Sequence, residues 1–394
     1  MPHPDRATAP AEAHHEDIVY PGTVPFVLFH LSALAAFWTG VPAWALVLCV
    51  VLYFVRMIAV TAGYHRYFSH RSFKTSRVGQ FLLAFLAQSS AQRGAIWWAA
   101  KHRAHHKHSD TELDPHSPHH RGFWFSHVGW IFAPKATEAD LGLVPDLTRY
   151  PELLWLDRHQ YVAPTVLGIV VWLLAGWPGL IVGFVWSTVL LWHGSFAINS
   201  LAHLSGRQRY VTGDHSRNSL LLALITCGEG WHNNHHHFQS ATRQGFRWWE
   251  VDLTYYVLRA LALVRVVWDL KEPPAEVVSG ERRLATVAVD RAAKRLAESF
   301  PLDQIAAHVR EAWDRTLDRE EWNALARQAR SRLDAFVAQV QMPQLPTLDQ
   351  LRSRAAQMLP DSSSLEAIVH RARQYVAEAV VERLFWPTAQ PEAI

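Results

Sequence analysis

The sequence predicts an all-α fold: a multi-pass membrane protein with four transmembrane helices. Three observations predict it. Four apolar runs are joined in pairs by short turns, Thr39–Pro42 and Ala175–Gly179, that contain no Lys or Arg. Every histidine-rich segment falls on the other side, after the second run or after the fourth. The 394 residues include 24 histidines and 18 tryptophans, and the 49% of hydrophobic residues is diluted by polar stretches. A formal net charge of only +3 calls for no nucleic acid as partner. Two cysteines, Cys49 and Cys227, cannot build a disulfide framework.

Residues 1–22 form a tail of Pro, Ala, Asp, Glu and His with no basic stretch leading into an apolar core, so no cleavable signal is expected and little order. His3, His14 and His15 read as solvated tail histidines. Val24–Trp38 is apolar apart from His30 and Ser32, and short against the roughly 17–25 residues of a spanning helix, so it gains by extension back to Tyr20. Ala43–Val60 follows, interrupted only by Arg56. The pair reads as a transmembrane hairpin; periodicity alone leaves two buried helices of a soluble core as the alternative. The basic run Arg66, Arg71, Lys74 and Arg77 then puts this end on the cytoplasmic side. Val78–Ser90 is too short to cross and belongs at the membrane interface. Tyr161–Leu174 and Leu180–Ile198 form the second hairpin, which places both termini in the cytoplasm. Arg243–Asp252 mixes basic and aromatic groups as a membrane-surface segment does, and Leu253–Leu270 continues as a helix lying on the membrane. After Glu272-Pro273-Pro274 the composition turns to Ala, Arg, Glu and Leu at helical spacing: residues 273–394 read as a helical extension without a chemical motif.

The chemistry lies in three boxes: His65-x4-His70, His102-x2-His105-His106 and His232-x2-His235-His236. On a helix, positions i, i+3 and i+4 share one face, and Asn199 and His203 share one by the same rule. Imidazole suits Zn, Cu, Fe and Ni. Eight box histidines plus His203 exceed what one ion can take, so two ions are expected. A structural zinc site takes four ligands and often thiolates, and zinc hydrolases mix in carboxylates; neither pattern is present within the boxes. A histidine-rich pair of redox metals opening toward a membrane points to oxygen chemistry on an apolar substrate. Asp110 and Glu112 read either as acceptors of ligand ring N–H groups or as a solvated helix end. His193, inside a span, reads as a satisfied interior histidine.

These boxes, in this order, resemble those of the membrane fatty acyl desaturases, specifically the acyl-CoA delta-9 (stearoyl-CoA) type. The flanking stretches Ser109–Pro118, Phe125–Trp130 and Gly228–His236 are similar too, and the likeness covers residues 23–272. The resemblance implies a membrane desaturase domain with four spans and a cytosolic cap. It implies a di-iron centre held by His65, His70, His102, His105, His106, His203, His232, His235 and His236, with Asn199 reaching one iron through water. It implies O2 as co-substrate, a long-chain acyl-CoA as substrate, and a cis double bond at delta-9. No catalytic residue beyond the metal ligands is implied. The third box begins with His232, not with Gln as in front-end acyl-lipid desaturases. No His-Pro-Gly-Gly stretch of a fused cytochrome b5 is present, so electrons come from a separate donor such as ferredoxin or cytochrome b5 with its reductase. By the same resemblance Gln92, Trp98, Ser195 and Phe196 flank the bend of an acyl tunnel, and Lys135 matches a basic position near the carrier. Animal members have Thr-Trp at the last two tunnel positions, and Arg-Asp where this chain has Ala100-Lys101. The carrier is therefore less fixed than the chain, and a carrier protein or a lipid stays open. Two rivals remain: a His-box hydroxylase of alkane or lipid, and a membrane protein that binds or moves a metal ion, which predicts ligands within the spans.

Overall fold

Helices occupy most of the chain. In the computed structural model, which describes residues 20–134, 138–331, 333, 336–337 and 342–386, α1 (Tyr20–Ser32) runs on through a 3-10 turn, Ala33–Ala35, and a last turn, Ala36–Thr39. It begins three residues before the expected boundary at residue 23, and Gly40, with φ 76°, ends it. α2 (Ala43–Ala59) passes without a break into a wider π-helical stretch, Val60–Ser69. α3 (Arg77–Gln88) is capped by Ser76, whose hydroxyl accepts from the Gly79 N–H at 3.0 Å. α4 (Ala95–His108) and the short α5 (Phe123–His127) follow. α6 (Val162–Pro178) bends at Gly176, φ 60°, and leads through a π-helical stretch, Gly179–Trp186, into α7 (Ser187–Leu204). α8 (His232–His237) and α9 (Leu253–Leu263) complete the first of two compact units, which ends at Pro273 and excludes Gln208–Asp214.

Among the described residues, two helical runs are long and apolar enough to cross a membrane, Ala43–Ser69 and Val162–Leu204; Thr23–Thr39 is a shorter apolar helix. Small residues let α2 approach the π-helical stretch Gly179–Trp186 and α7. A Cβ on Gly183 would sit 2.7 Å from the Leu48 side chain, and one on Gly194 would sit 2.8 Å from the Tyr53 hydroxyl. Arg56, the one interruption of the second apolar run, is buried. It donates to Ser187 Oγ (2.5 Å), Thr188 Oγ1 (2.7 Å) and the Ser89 carbonyl (3.3 Å), tying α2 to α7 and to the end of α3. A cation at that depth persists because its donors are met. The core of this unit gathers Met57, Tyr64, Phe68, Ile96, Leu191 and Trp192.

The structure is mostly helical, as expected, with one short ladder in which β1 (Lys74–Thr75) pairs antiparallel with β2 (Val267–Trp268). One expectation needs correction. The helix expected over Leu253–Leu270 stops at Leu263. Arg265 turns the chain at φ 58°, and the β-branched Val266 and Val267 suit the extended segment that follows.

The second unit comprises Gln208–Asp214 and the chain from Pro274. Its helices are α10 (Thr286–Glu298), α11 (Leu302–Asp314), α12 (Arg319–Ser331), α13 (Leu348–Met358) and α14 (Leu365–Phe385). α14 buries Ile368, Val369, Ala372, Val376, Val380 and Leu384, a stripe at three- and four-residue spacing. Ala293 and Leu296 of α10 pack on one end of it, and Val309 and Trp313 of α11 on the other. Tyr210 joins this unit by donating to the Val278 carbonyl at 2.7 Å.

Candidate metal centre

The three boxes, 30 to 170 positions apart in the chain, converge. His65, His70, His102, His106 and His235 place one ring nitrogen each within 4.8 Å of one another; so do His105, His203, His232 and His236. The two groups are neighbours, with the His106 and His236 rings 4.4 Å apart.

Helix phase decides which ring goes where. In each H-x-x-H-H box the i and i+4 rings enter one group and the i+3 ring the other. His102 and His106 join the first group while His105 joins the second; His232 and His236 join the second while His235 joins the first. Positions i+3 and i+4 diverge by roughly 100° around an α-helix, enough to aim one box at two centres. The first box works differently. In an α-helix, residues five apart would point roughly 140° away from each other. Here His65 and His70 lie in and at the end of the π-helical stretch, the His70 N–H bonding the His65 carbonyl at 3.2 Å, and their rings meet at 4.9 Å. The third box is seated by Gly230, whose Cβ would collide with the Ala223 nitrogen at 2.0 Å.

Carboxylates stand behind the rings. His105 Nδ1 donates to Asp114 at 3.0 Å and His203 Nδ1 to Asp110 at 2.8 Å, while His65 Nδ1 contacts Glu229, with Gln244 Nε2 3.2 Å away. Each Nδ1–H so engaged leaves Nε2 as the bare nitrogen. Burial works against the charge on Glu229 and Asp114, yet His65 and Arg66 hold the first carboxyl, and His105 and His116 the second, below the usual carboxylate range. Burial first, and then the neighbouring imidazoles, push His70, His102, His106, His232 and His235 well below the usual histidine range. At neutral pH these rings are neutral, the state in which imidazole binds metal.

A test of fit lies in the first group. Nε2 atoms run His65–His235 (3.0 Å), His235–His106 (2.9 Å), His106–His102 (2.9 Å) and His102–His70 (2.8 Å). A neutral imidazole nitrogen carries one hydrogen or one lone pair, never both. Four consecutive contacts among five such atoms therefore cannot all be hydrogen bonds. A shared cation removes the conflict, because a metal with nitrogen ligands at roughly 2.1 Å brings adjacent ligand atoms to about 3 Å. The donor set is nitrogen, without thiolate, and suits iron.

An apolar cavity of about 490 Å³ reaches His102 of the first group. Gln92, Trp98, Ser195 and Phe196 all line it, together with Phe26, Phe132, Trp192, Arg93, Lys101 and His116. Trp98 stacks on His102 at 5.0 Å, and Gln92 donates to Ser195 Oγ at 3.0 Å. Asn199 lines both this cavity and a smaller one against the two groups, walled by Met57, Val60 and Thr61. Lys135 lies outside the described residues.

Sequence reasoning missed four residues. Glu229 and Asp114 sat in quoted motifs as flanking letters, and Gln244 in a surface segment; nothing local marks them. Arg66, read as a topology charge, is fully buried and paired with Glu229 (3.0 Å) and Asp252 (2.9 Å). Only Arg71, Lys74 and Arg77 of that basic run stay at the surface. Of the two acids that were weighed, Asp110 holds a ring and Glu112 is exposed.

The fatty acid desaturase profile matches residues 20–268. The chain is similar to an sn-2 palmitoyl-lipid 9-desaturase of Nostoc sp., 35% identical over 284 residues that cover 70% of this chain and 98% of the relative. It is similar to an sn-1 stearoyl-lipid 9-desaturase of Anabaena variabilis, 35% identical over 63% of this chain and 92% of the relative. An acyl-CoA 5-desaturase of Anemone leveillei is 37% identical over 61% of this chain and 73% of its own length.

Proposed function

We infer the reaction from one premise: the chain belongs to the fatty acid desaturase family. The protein is a lipid desaturase with a histidine metal site, and we propose that it introduces a cis double bond at delta-9 into a saturated acyl chain, using O2 and two electrons. The observation that carries this reading is the meeting of two buried imidazole groups with an apolar cavity at Trp98 and Asn199. The nine histidines would hold two irons, which when bound supply the oxidising power that dioxygen brings to an unactivated C–H bond. The chain's own residues do the rest. Asp110, Asp114 and Glu229 fix ring tautomers so that bare nitrogens face inward. Trp98 and Phe196 present apolar walls to the acyl chain, and the cavity keeps bulk water from the reacting carbons. Four spans, with both termini and the site on the cytoplasmic side, complete the reading, as does a separate donor such as ferredoxin or cytochrome b5.

For the carrier we propose CoA. Arg93 and Lys101 at the cavity supply cations for a phosphate-bearing group, in keeping with the similarity to an acyl-CoA desaturase. The second reading is an acyl lipid, favoured by the relatives named as acyl-lipid 9-desaturases. Expression in a host lacking its own desaturase, with iron and a reductase supplied, tests the first claim: a new cis monounsaturated fatty acid is expected. An alcohol in its place identifies a hydroxylase, and no new product refutes the assignment. Labelled acyl-CoA and labelled phospholipid, offered separately to the purified enzyme, distinguish the carriers.

A further inference from the structure

Three histidines outside the metal groups form a line of their own. His30 Nδ1 lies 2.8 Å from the Phe26 carbonyl, and His30 Nε2 lies 3.3 Å from His193 Nε2. His193 Nδ1 lies 3.1 Å from His127 Nε2, and His127 Nδ1 lies 2.9 Å from Ser200 Oγ. Ser200 Oγ is also 3.0 Å from the Phe196 carbonyl. The line runs from α1 to α7, and α5 supplies His127.

A carbonyl only accepts, so one end fixes every hydrogen. His30 donates from Nδ1 to Phe26, which leaves Nε2 bare. His193 then donates from Nε2 and accepts at Nδ1. His127 donates from Nε2 and accepts at Nδ1 from the Ser200 hydroxyl, whose single hydrogen is then not donated to the Phe196 carbonyl 3.0 Å away. With that hydrogen so placed, every ring link is satisfied with all three imidazoles neutral. The line is not a proton path, because the Phe26 carbonyl at its end neither supplies nor takes up a proton. Nor is it a metal site, because no more than two of its ring nitrogens meet at any point.

What stands at both ends is the acyl cavity. Phe26 and Phe196 both line it. The His127 and His193 rings stand edge-on to Phe196, with centroids at 5.9 and 6.1 Å, and His30 packs on Phe26 at 4.2 Å. We propose that His30, His193 and His127 act as a brace that sets the spacing of the Phe26 and Phe196 walls and thereby selects which acyl chains the cavity accepts. They are positioning residues for specificity, and the proposal rests on the desaturase reading only for the identity of the occupant.

The test uses the full-length purified protein and cis-parinaric acid, a fluorescent acyl probe, displaced by saturated fatty acids of graded length. His193→Leu removes both central links at similar volume; His193→Gln keeps a donor and an acceptor. The affinity ratio between successive lengths is expected to change about tenfold in His193→Leu, the discrimination a methylene of misfit carries in an apolar pocket. Iron content should match wild type, and His193→Gln should restore the wild-type ratio. Should His193→Leu not fold, His30→Leu breaks the end link and reads the same ratio. An unchanged length profile in a folded leucine variant overturns the proposal, and so does a wild-type protein that binds no displaceable probe. Length-selective binding by a wild-type protein that makes no alkene overturns the desaturase reading and leaves the brace standing.

Discussion

Two histidine assemblies share one membrane unit and do opposite things with the same side chain. In the metal groups, nine rings aim nitrogens at common points, and carboxylates hold the outer nitrogens of His65, His105 and His203. In the brace, three rings are strung end to end from a backbone carbonyl, each linked to the next through one pair of nitrogens. For His65, His105 and His203 the partner on the far nitrogen sets the direction of the lone pair. A carboxylate leaves an electron-rich lone pair facing inward, ready for a cation. A second imidazole uses that lone pair up as a hydrogen-bond acceptor.

The comparison is most open to breakage by deleting a ring from each assembly. His235 Nε2 touches both His65 and His106, so His235→Ala should lose roughly half of the bound iron. Activity should fall by more than about a hundredfold, beyond the 10–100-fold that losing a mere supporting partner carries. His127→Leu should keep its full metal. Elemental analysis of the two variants decides, and equal metal loss in both erases the distinction.

Acid should act next most strongly. His70, His102, His106, His232 and His235 have folded-state values depressed below the roughly 6.5 of a free histidine. As pH falls through about 6.5 the unfolded chain takes up protons and the folded one resists them, so stability is full above that value and is lost below it. Thermal unfolding of metal-stripped protein is expected at a lower temperature near pH 5.5 than near pH 7.5. An unchanged Tm would mean these rings are not held neutral by their surroundings.

The mildest test sharpens the role of the far partner. Asp114→Asn keeps the shape but weakens the grip on the His105 N–H, and should speed metal loss to a chelator by about tenfold. Glu112→Gln, at an exposed neighbour, should not change it.

Much of this was legible along the chain, for a physical reason. Apolar runs, turn residues and the spacing of His102, His105 and His106 are local patterns, and helix geometry converts them directly into faces. The hidden part depended on partners distant in sequence. Glu229 and Asp114 gain meaning only where the fold sets them against His65 and His105. Arg66 carries the same letter as a surface arginine and differs only by being buried between two acids. His30 and His193 are 163 positions apart, and nothing near either one names the other.

The sequence by itself predicted that the imidazoles would gather, because every box follows the second or the fourth apolar run. It also determined the kind of donor, nitrogen without thiolate, which suits Zn, Cu, Fe or Ni. Tertiary structure alone decided how nine rings divide between two groups, since a π-helical stretch and the phase of two helices aim them. It alone decided which histidines converge on a common point and which are strung one to the next, because that choice is made by residues distant in sequence.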